Sequence, residues 1–333
     1  MKSAIDADLD TAKHGIGWWQ GYSALGDKRR IFISDYLLEV VRSIEVNLIE
    51  ARLHFLELLE WGDTLTVFLA NSIVHDQKTG TLRMKHPEHK TPLDELPGEM
   101  IGLHEAGVLR SLGSTLDCLG GAIVGVIGLP TPIVRSDLGV VRKKYSNLSA
   151  EQTSFLTFLD DTIRNAGPDG WLEWTNDYRN MVVHRARRLR MTLMTPSQQG
   201  GQTLAVPIGL MARAPSRTDL EDLEDSSIEP VLTESSGDTI EGLFASATTV
   251  TEVISKKLVD VWLLRRKNPQ LIEQPRAQWV SLSARGSGGA FRGFHPGTHK
   301  YNPSSITGNP ALIRRLLVGA LDDKNRSKWN SFT

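Results

Sequence analysis

The sequence predicts a mostly α-helical bundle with a small β-hairpin insertion before its last core helix, and three observations predict it. Apolar residues recur at three- and four-residue steps over several long stretches. Ser149-Ala-Glu-Gln152 has the form of a helix-starting capping box. The strand-like, proline-punctuated region falls just ahead of the last long apolar stripe. With 333 residues, 40% of them hydrophobic and 23% charged, the chain has the size and balance of a soluble globular protein able to bury a core.

The opening residues mix polar stretches with Trp18, Trp19 and Tyr22 and give no clear period. From about 34 to 73, Leu37, Val41, Ile44, Leu48 and Ala51 form a helical stripe, with Glu39, Arg42, Glu45 and Glu50 between them. Gly62 and Asp63 are expected to divide this stretch into two helices. Residues 76–98, rich in charge and proline, read as a loop. A helix then runs from about Glu99 to Ile127 and stops at Leu129-Pro-Thr-Pro132; its Gly120, Gly121, Gly125 and Gly128 permit close packing. The capping box opens a helix carrying Phe155, Phe158, Leu159 and Ile163, which ends at Gly167-Pro168. Another begins near Trp171 and, with no Gly or Pro to interrupt it, is expected to reach about Met194. Short strands at 203–211 and 228–233, each holding a proline, flank the acidic run from Asp219 to Asp225. Asp238 opens the last core helix, whose stripe is Ile240, Leu243, Phe244, Ala247, Val250, Ile254, Leu258, Val261 and Leu264. The chain thus divides into an N-terminal extension (1–29), a helical domain (30–268, with the insertion at about 195–238) and a Gly/Pro-rich basic C-terminal extension (269–333), in which a short helix is expected at 310–321.

Composition excludes several classes. A net charge of −1 gives no global field for nucleic acid, so any such binding must use a local patch. A single cysteine, Cys118, excludes an internal disulfide framework and fits a reducing, cytoplasmic setting. Acidic residues stand where a signal peptide needs an apolar stretch. The longest apolar run, Cys118 to Leu129, is about a dozen residues where a membrane span needs about twenty. His75, His86 and His89 lack cysteines and a helical frame, and His295 and His299 sit among glycines, so no metal site is expected.

The chemistry is concentrated in Asp177-Tyr-Arg-Asn-Met-Val-Val-His184. Asn180 and His184 are four residues apart and share a helical face, with Val182, Ala186, Leu189 and Leu193 on the other side. Arg187 and Arg188 extend the face of His184 at steps of three and four. Arg179 lies five residues before His184, about 140° around the helix, so it either wraps round or serves a histidine on a second copy. A histidine can exchange a proton with a ribose 2′-hydroxyl or a leaving oxygen. An arginine can neutralise charge on a phosphorane-like transition state, and an asparagine can orient either partner. Two other Arg–His pairs of similar spacing, Arg83–His89 and Arg292–His299, fall in segments broken by Pro or Gly and lack the polar second residue.

Arg179-Asn180…His184 resembles the arginine, polar residue and spaced histidine that mark HEPN-domain ribonucleases, over roughly residues 30–268. The resemblance implies a HEPN-like bundle and metal-independent RNA cleavage by 2′-hydroxyl attack, with no cofactor. In this reading Arg179, Asn180 and His184 are catalytic, and Arg187 and Arg188 bind RNA phosphates. It further implies a homodimer whose two motifs face a shared cleft, and a cytoplasmic toxin or phage-defence effector with a cognate antitoxin or regulatory protein as partner. The rival reading is a catalytically inactive HEPN-like module that binds a partner protein or nucleic acid.

Overall fold

In the computed structural model, residues 1–9, 27–76, 81–84, 92–131, 133, 136–143, 145–184, 190–199, 202–211, 232 and 234–267 are described. They are mostly helical: α1 (Lys2–Leu9), α2 (Asp27–Ser72), α3 (Pro92–Ile123), α4 (Leu138–Val141), α5 (Ala150–Ala166), α6 (Trp171–His184) and α7 (Ser236–Lys267). Two antiparallel hairpins accompany them, β1 (Ile73–Asp76) with β2 (Thr81–Met84), and β3 (Arg190–Gln199) with β4 (Gln202–Met211). The chain divides into two compact units, Met1–Ser43 with Asp117–Leu156 and Ser255–Thr333, and Ile44–Leu116 with Thr157–Ile254. Helices α2, α3, α5 and α7 each contribute a stretch to both units.

Three expectations are corrected. Helix α2 is unbroken through Gly62 and Asp63. A helical glycine costs only about 1 kcal/mol, and here Thr64 and Thr66 add hydroxyl bonds to the carbonyls of Glu60 and Gly62 at 2.9 Å. The segment expected to be a loop holds most of the β1–β2 hairpin and the first turns of α3, with Pro92 at the helix start and Pro97 inside it. Proline is tolerated at a helix start because its missing N–H has no intrahelical acceptor there. The third correction is the end of α6 at His184, with residues 190–194 in strand β3. That hairpin pairs 190–199 with 202–211, so the strand expected at 203–211 is paired with a segment expected to be helix over 190–194 and insertion over 195–199. The strand expected at 228–233 and the helix expected at 310–321 lie almost wholly outside the described residues.

In the first unit the core gathers Leu37, Leu38 and Val41 of α2, Leu119 and Ile123 of α3, Phe155 of α5, and Leu258 and Trp262 of α7. The glycines of α3 allow close approach. A Cβ on Gly120 would meet the backbone of Asp137 and Leu138, and one on Gly125 would stand 2.8 Å from Leu37 Cδ1 and Ile133 Cδ1. The helix ends in a π-turn, Val124–Gly128, where Gly128 takes a left-handed φ of 70° that favours glycine.

The capping box at the start of α5 is formed. Gln152 N–H donates to Ser149 Oγ at 3.1 Å, and Ser149 N–H donates to Gln152 Oε1 at 2.9 Å. The other end of the Gln152 amide, Nε2, donates to the carbonyl of Gly128 at 2.8 Å. One buried side chain therefore satisfies the start of α5 and the end of the π-turn together.

The second unit buries Ala51 and Leu58 of α2, Val108, Leu109 and Leu112 of α3, Leu159 and Ile163 of α5, Trp171 and Tyr178 of α6, and Leu243, Ala247 and Val250 of α7. Helix α7 opens with Ser235 Oγ accepting from Asp238 N–H at 3.0 Å, which places its start where the sequence put it. Its stripe is buried from Ile240 to Val261 apart from the half-buried Phe244, and Leu264 is exposed. Phe55 of α2 stacks on Phe244 of α7 with ring centroids 6.0 Å apart.

Among the described residues one helical stretch, Leu96–Gly128, is long and apolar enough to cross a membrane, but 83% of its most apolar window is buried. It is longer than the apolar run read from the sequence because Arg110, Ser111, Ser114, Thr115 and Asp117 interrupt the run without interrupting the helix. Thr115 stays bonded by donating to the carbonyl of Ser111 at 2.9 Å.

Candidate active site

Helix α6 begins after a turn in which Gly170 has φ +79°, and Trp174 N–H donates to the Gly170 carbonyl at 2.9 Å. Trp171 anchors it: the buried indole donates Nε1–H to the carbonyl of Ile163 on α5 at 2.9 Å. Trp171, Leu172, Thr175 and Tyr178 make the inward face. Thr175 is satisfied through the Trp171 carbonyl at 2.6 Å, and the Tyr178 ring meets that of Trp174 at a centroid distance of 4.8 Å. Burial of these residues on one side fixes which way the rest of the helix points.

Arg179, Asn180 and His184 lie on this single helix, His184 as its last residue. Asn180, 200° around the helix from the buried Tyr178, is exposed. Arg179 is half-buried, and its side chain lies across Gly113 of α3. A Cβ at position 113 would meet Arg179 Cδ and would stand 2.8 Å from Nη1 and 3.2 Å from Nε. The guanidinium thus has its place because α3 has no side chain there. Sequence reading missed Gly113, which in one dimension is merely another helical glycine.

Arg187 and Arg188 fall outside the described residues. Of the opposite side read from the sequence, Val182 is half-buried and Leu193 belongs to β3, while Ala186 and Leu189 lie outside the described residues. Arg83, of a pair set aside earlier, is in β2 opposite Val74.

A second polar cluster was not anticipated. His54 of α2 and His104 of α3 face each other with their Nδ1 atoms 3.0 Å apart, so one ring donates the proton and the other accepts it. Gly107 makes room for His54, since a Cβ there would lie 2.6 Å from its Nδ1. Glu50, one turn before His54, has Oε1 3.8 Å from His54 Nε2 and accepts from Arg110 Nη2 at 2.6 Å. His104 is 8% exposed, and its Nε2 is buried without a hydrogen-bond partner. Burial holds the pKa of His54 below its usual value, helped by His104 and Arg110 and opposed by Glu50 and Glu57. The two histidines are fifty residues apart in sequence, and nothing local marks them as partners. This cluster is not joined to the motif. His104 and Gly113 are nine residues apart on α3, which at 100° per residue sets them on opposite faces.

Among the described residues no group of three or more His, Cys, Asp or Glu gathers as a metal-binding set. Comparison with protein-family models, with characterised proteins and with solved structures finds no match to the chain.

Proposed function

We propose that the protein is a HEPN-type endoribonuclease that cleaves RNA by attack of the ribose 2′-hydroxyl, with no metal or cofactor in the chemistry. The observation that carries this reading is the placement of Arg179, Asn180 and His184 on one helix, with Asn180 exposed and Arg179 lodged against Gly113. His184 exchanges the proton with the 2′-hydroxyl or the leaving 5′-oxygen. Arg179 neutralises the phosphorane-like transition state, and Asn180 positions one of them by hydrogen bonding. Arg187 and Arg188 supply sequence-independent phosphate contacts from the basic stretch that follows.

The 140° between Arg179 and His184 makes one helix a poor complete site, and a homodimer with two motif helices at its axis completes it. In this reading the bundle is HEPN-like and the protein acts in the cytoplasm as a toxin or phage-defence effector, restrained by an antitoxin or regulatory protein. One observation favours the rival, a non-catalytic binding module: the outer face of α2 exposes a row of large apolar residues.

Purified protein incubated with RNA in EDTA tests the proposal. Cleavage should leave 2′,3′-cyclic phosphate and 5′-hydroxyl ends and should stop at a deoxyribose. Arg179→Ala and His184→Ala should each slow it by at least about a hundredfold. Intact RNA, equal cutting of DNA or an absolute need for added Mg²⁺ would refute the mechanism, and RNA left intact but bound would favour the module. A monomer with full activity in light scattering would refute the shared site.

A further inference from the structure

We infer that the outer face of α2 is a docking site for an amphipathic helix of a partner protein, one whose edges carry lysine or arginine. Ala51 and Leu58 point α2 into the core of the second unit. At 100° per residue, Val46, Ile49, Leu53 and Leu56 all fall within about 40° of the direction opposite Ala51. They are 61%, 54%, 59% and 49% exposed. Val67 continues the same row two turns past Glu60, and Leu59 flanks it, both also exposed. Single exposed leucines are ordinary, but a contiguous row on one helix is not. The 3-4-3 spacing is that of a coiled-coil seam, whose knobs fit between the side chains of another helix.

The charges around the row select the occupant. Exposed Glu45, Glu57, Glu60 and Asp63 border or interrupt it, against one exposed cation, Arg52. Glu50, at the same edge, is already ion-paired with Arg110. A second copy laid on this face would bring the same acidic border, Glu57, Glu60 and Asp63 against the single exposed Arg52, onto its own like charges. Like charges across a seam oppose pairing, and an anionic membrane would be repelled by the same carboxylates. A helix with leucines in its seam and basic residues at its edges meets both the apolar row and the acidic border. This inference is independent of RNA cleavage, because none of these residues belongs to the motif.

The test uses the full chain and two synthetic helical heptad peptides with leucine at the seam, one with lysine and one with glutamate at the edges. Fluorescence anisotropy should show the lysine peptide binding at least about tenfold more tightly, with affinity falling as salt rises. Leu53→Gln/Leu56→Gln should weaken that binding about tenfold or more, and Ile49→Gln should also weaken it, because half-exposed apolar area is lost from the contact. Circular dichroism should be unchanged, as all three positions are exposed, and Leu263→Gln, an exposed leucine on α7, should have no effect. Failure of the lysine peptide to bind, equal binding of the glutamate peptide, or binding that survives the substitutions would overturn the inference. So would self-association of the wild-type chain that Leu53→Gln/Leu56→Gln abolishes, or binding to anionic vesicles lost in the same variant.

Discussion

Substituting Gly113 by alanine should damage the proposed active site without damaging the fold. The new Cβ would press on Arg179 Cδ and stand 2.8 Å from Nη1. Carbon–carbon contacts are comfortable only at about 3.5–4.0 Å, so the arginine must withdraw by about an ångström or more. The three nearest atoms all belong to the far part of the half-buried Arg179 side chain. The clash is therefore relieved by moving the guanidinium, at roughly 0.5–1.5 kcal/mol for an off-rotamer arginine. Replacing a helical glycine by alanine returns roughly 0.5–1 kcal/mol. The two nearly cancel, and the denaturation midpoint should move by less than about 1 kcal/mol equivalent. Activity has no such compensation, since a misplacement of about an ångström can cost about a hundredfold.

The assay is single-turnover RNA cleavage in EDTA. Gly113→Ala should be roughly ten- to a hundredfold slower than wild type, and Gly113→Ala/Arg179→Ala no slower than Arg179→Ala alone, because both changes act through one guanidinium. Full activity in Gly113→Ala would show that the position of Arg179 does not matter. A loss of stability beyond about 2 kcal/mol would show that Gly113 is needed for packing instead.

Other glycines and polar groups separate in the same way. Gly62→Ala, with nothing within 4 Å of the new Cβ, should stabilise by about 1 kcal/mol, whereas Gly120→Ala, which meets the backbone of Asp137 and Leu138, should destabilise by about 1–3 kcal/mol in urea titrations. Gln152→Ala removes two side-chain hydrogen bonds at a buried position and should cost about 2 kcal/mol or more, while Gln152→Glu, which keeps the acceptor but not the donor, should still be destabilising. Because burial and His104 lower the pKa of His54 in the folded chain, the unfolded chain binds the proton first as pH falls. The contribution of His54 to stability should be complete above its unfolded value near 6.5 and be lost as pH falls toward the folded pKa. Denaturation midpoints measured between pH 8 and 5 should decline less in His54→Gln than in wild type.

What could be read in the sequence was what local chemistry decides. The Ser149–Gln152 box, the stop at the proline-rich 129–132 segment and the stripe of α7 each depend on residues within a few turns of one another. The end of α6 was not legible that way. Residues 185–194 contain no Gly or Pro and suit a helix, yet 190–199 meet a complementary strand at 202–211, with Gly200-Gly201 between them in sequence. Strand pairing outweighs local helix preference there. Gly62 misled in the opposite direction, since a single helical glycine costs only about 1 kcal/mol and α2 runs through it. At the candidate site the motif residues were visible, but their setting was not. The pocket for Arg179 is made by an absent side chain 66 residues earlier, and the His54–His104 contact joins positions fifty apart.

The Gln152 amide has a kinetic consequence. Helix ends ordinarily open one at a time, each exchanging its amide hydrogens on its own schedule. Here the last turn of one helix and the N–H of Ser149, at the start of another, hold the two ends of a single planar group. Swinging that group out to let solvent reach the Ser149 N–H also frees the Gly128 carbonyl. Native-state exchange should therefore report one shared opening for residues near 128 and near 152, and Gln152→Ala should split it into two faster, unequal ones.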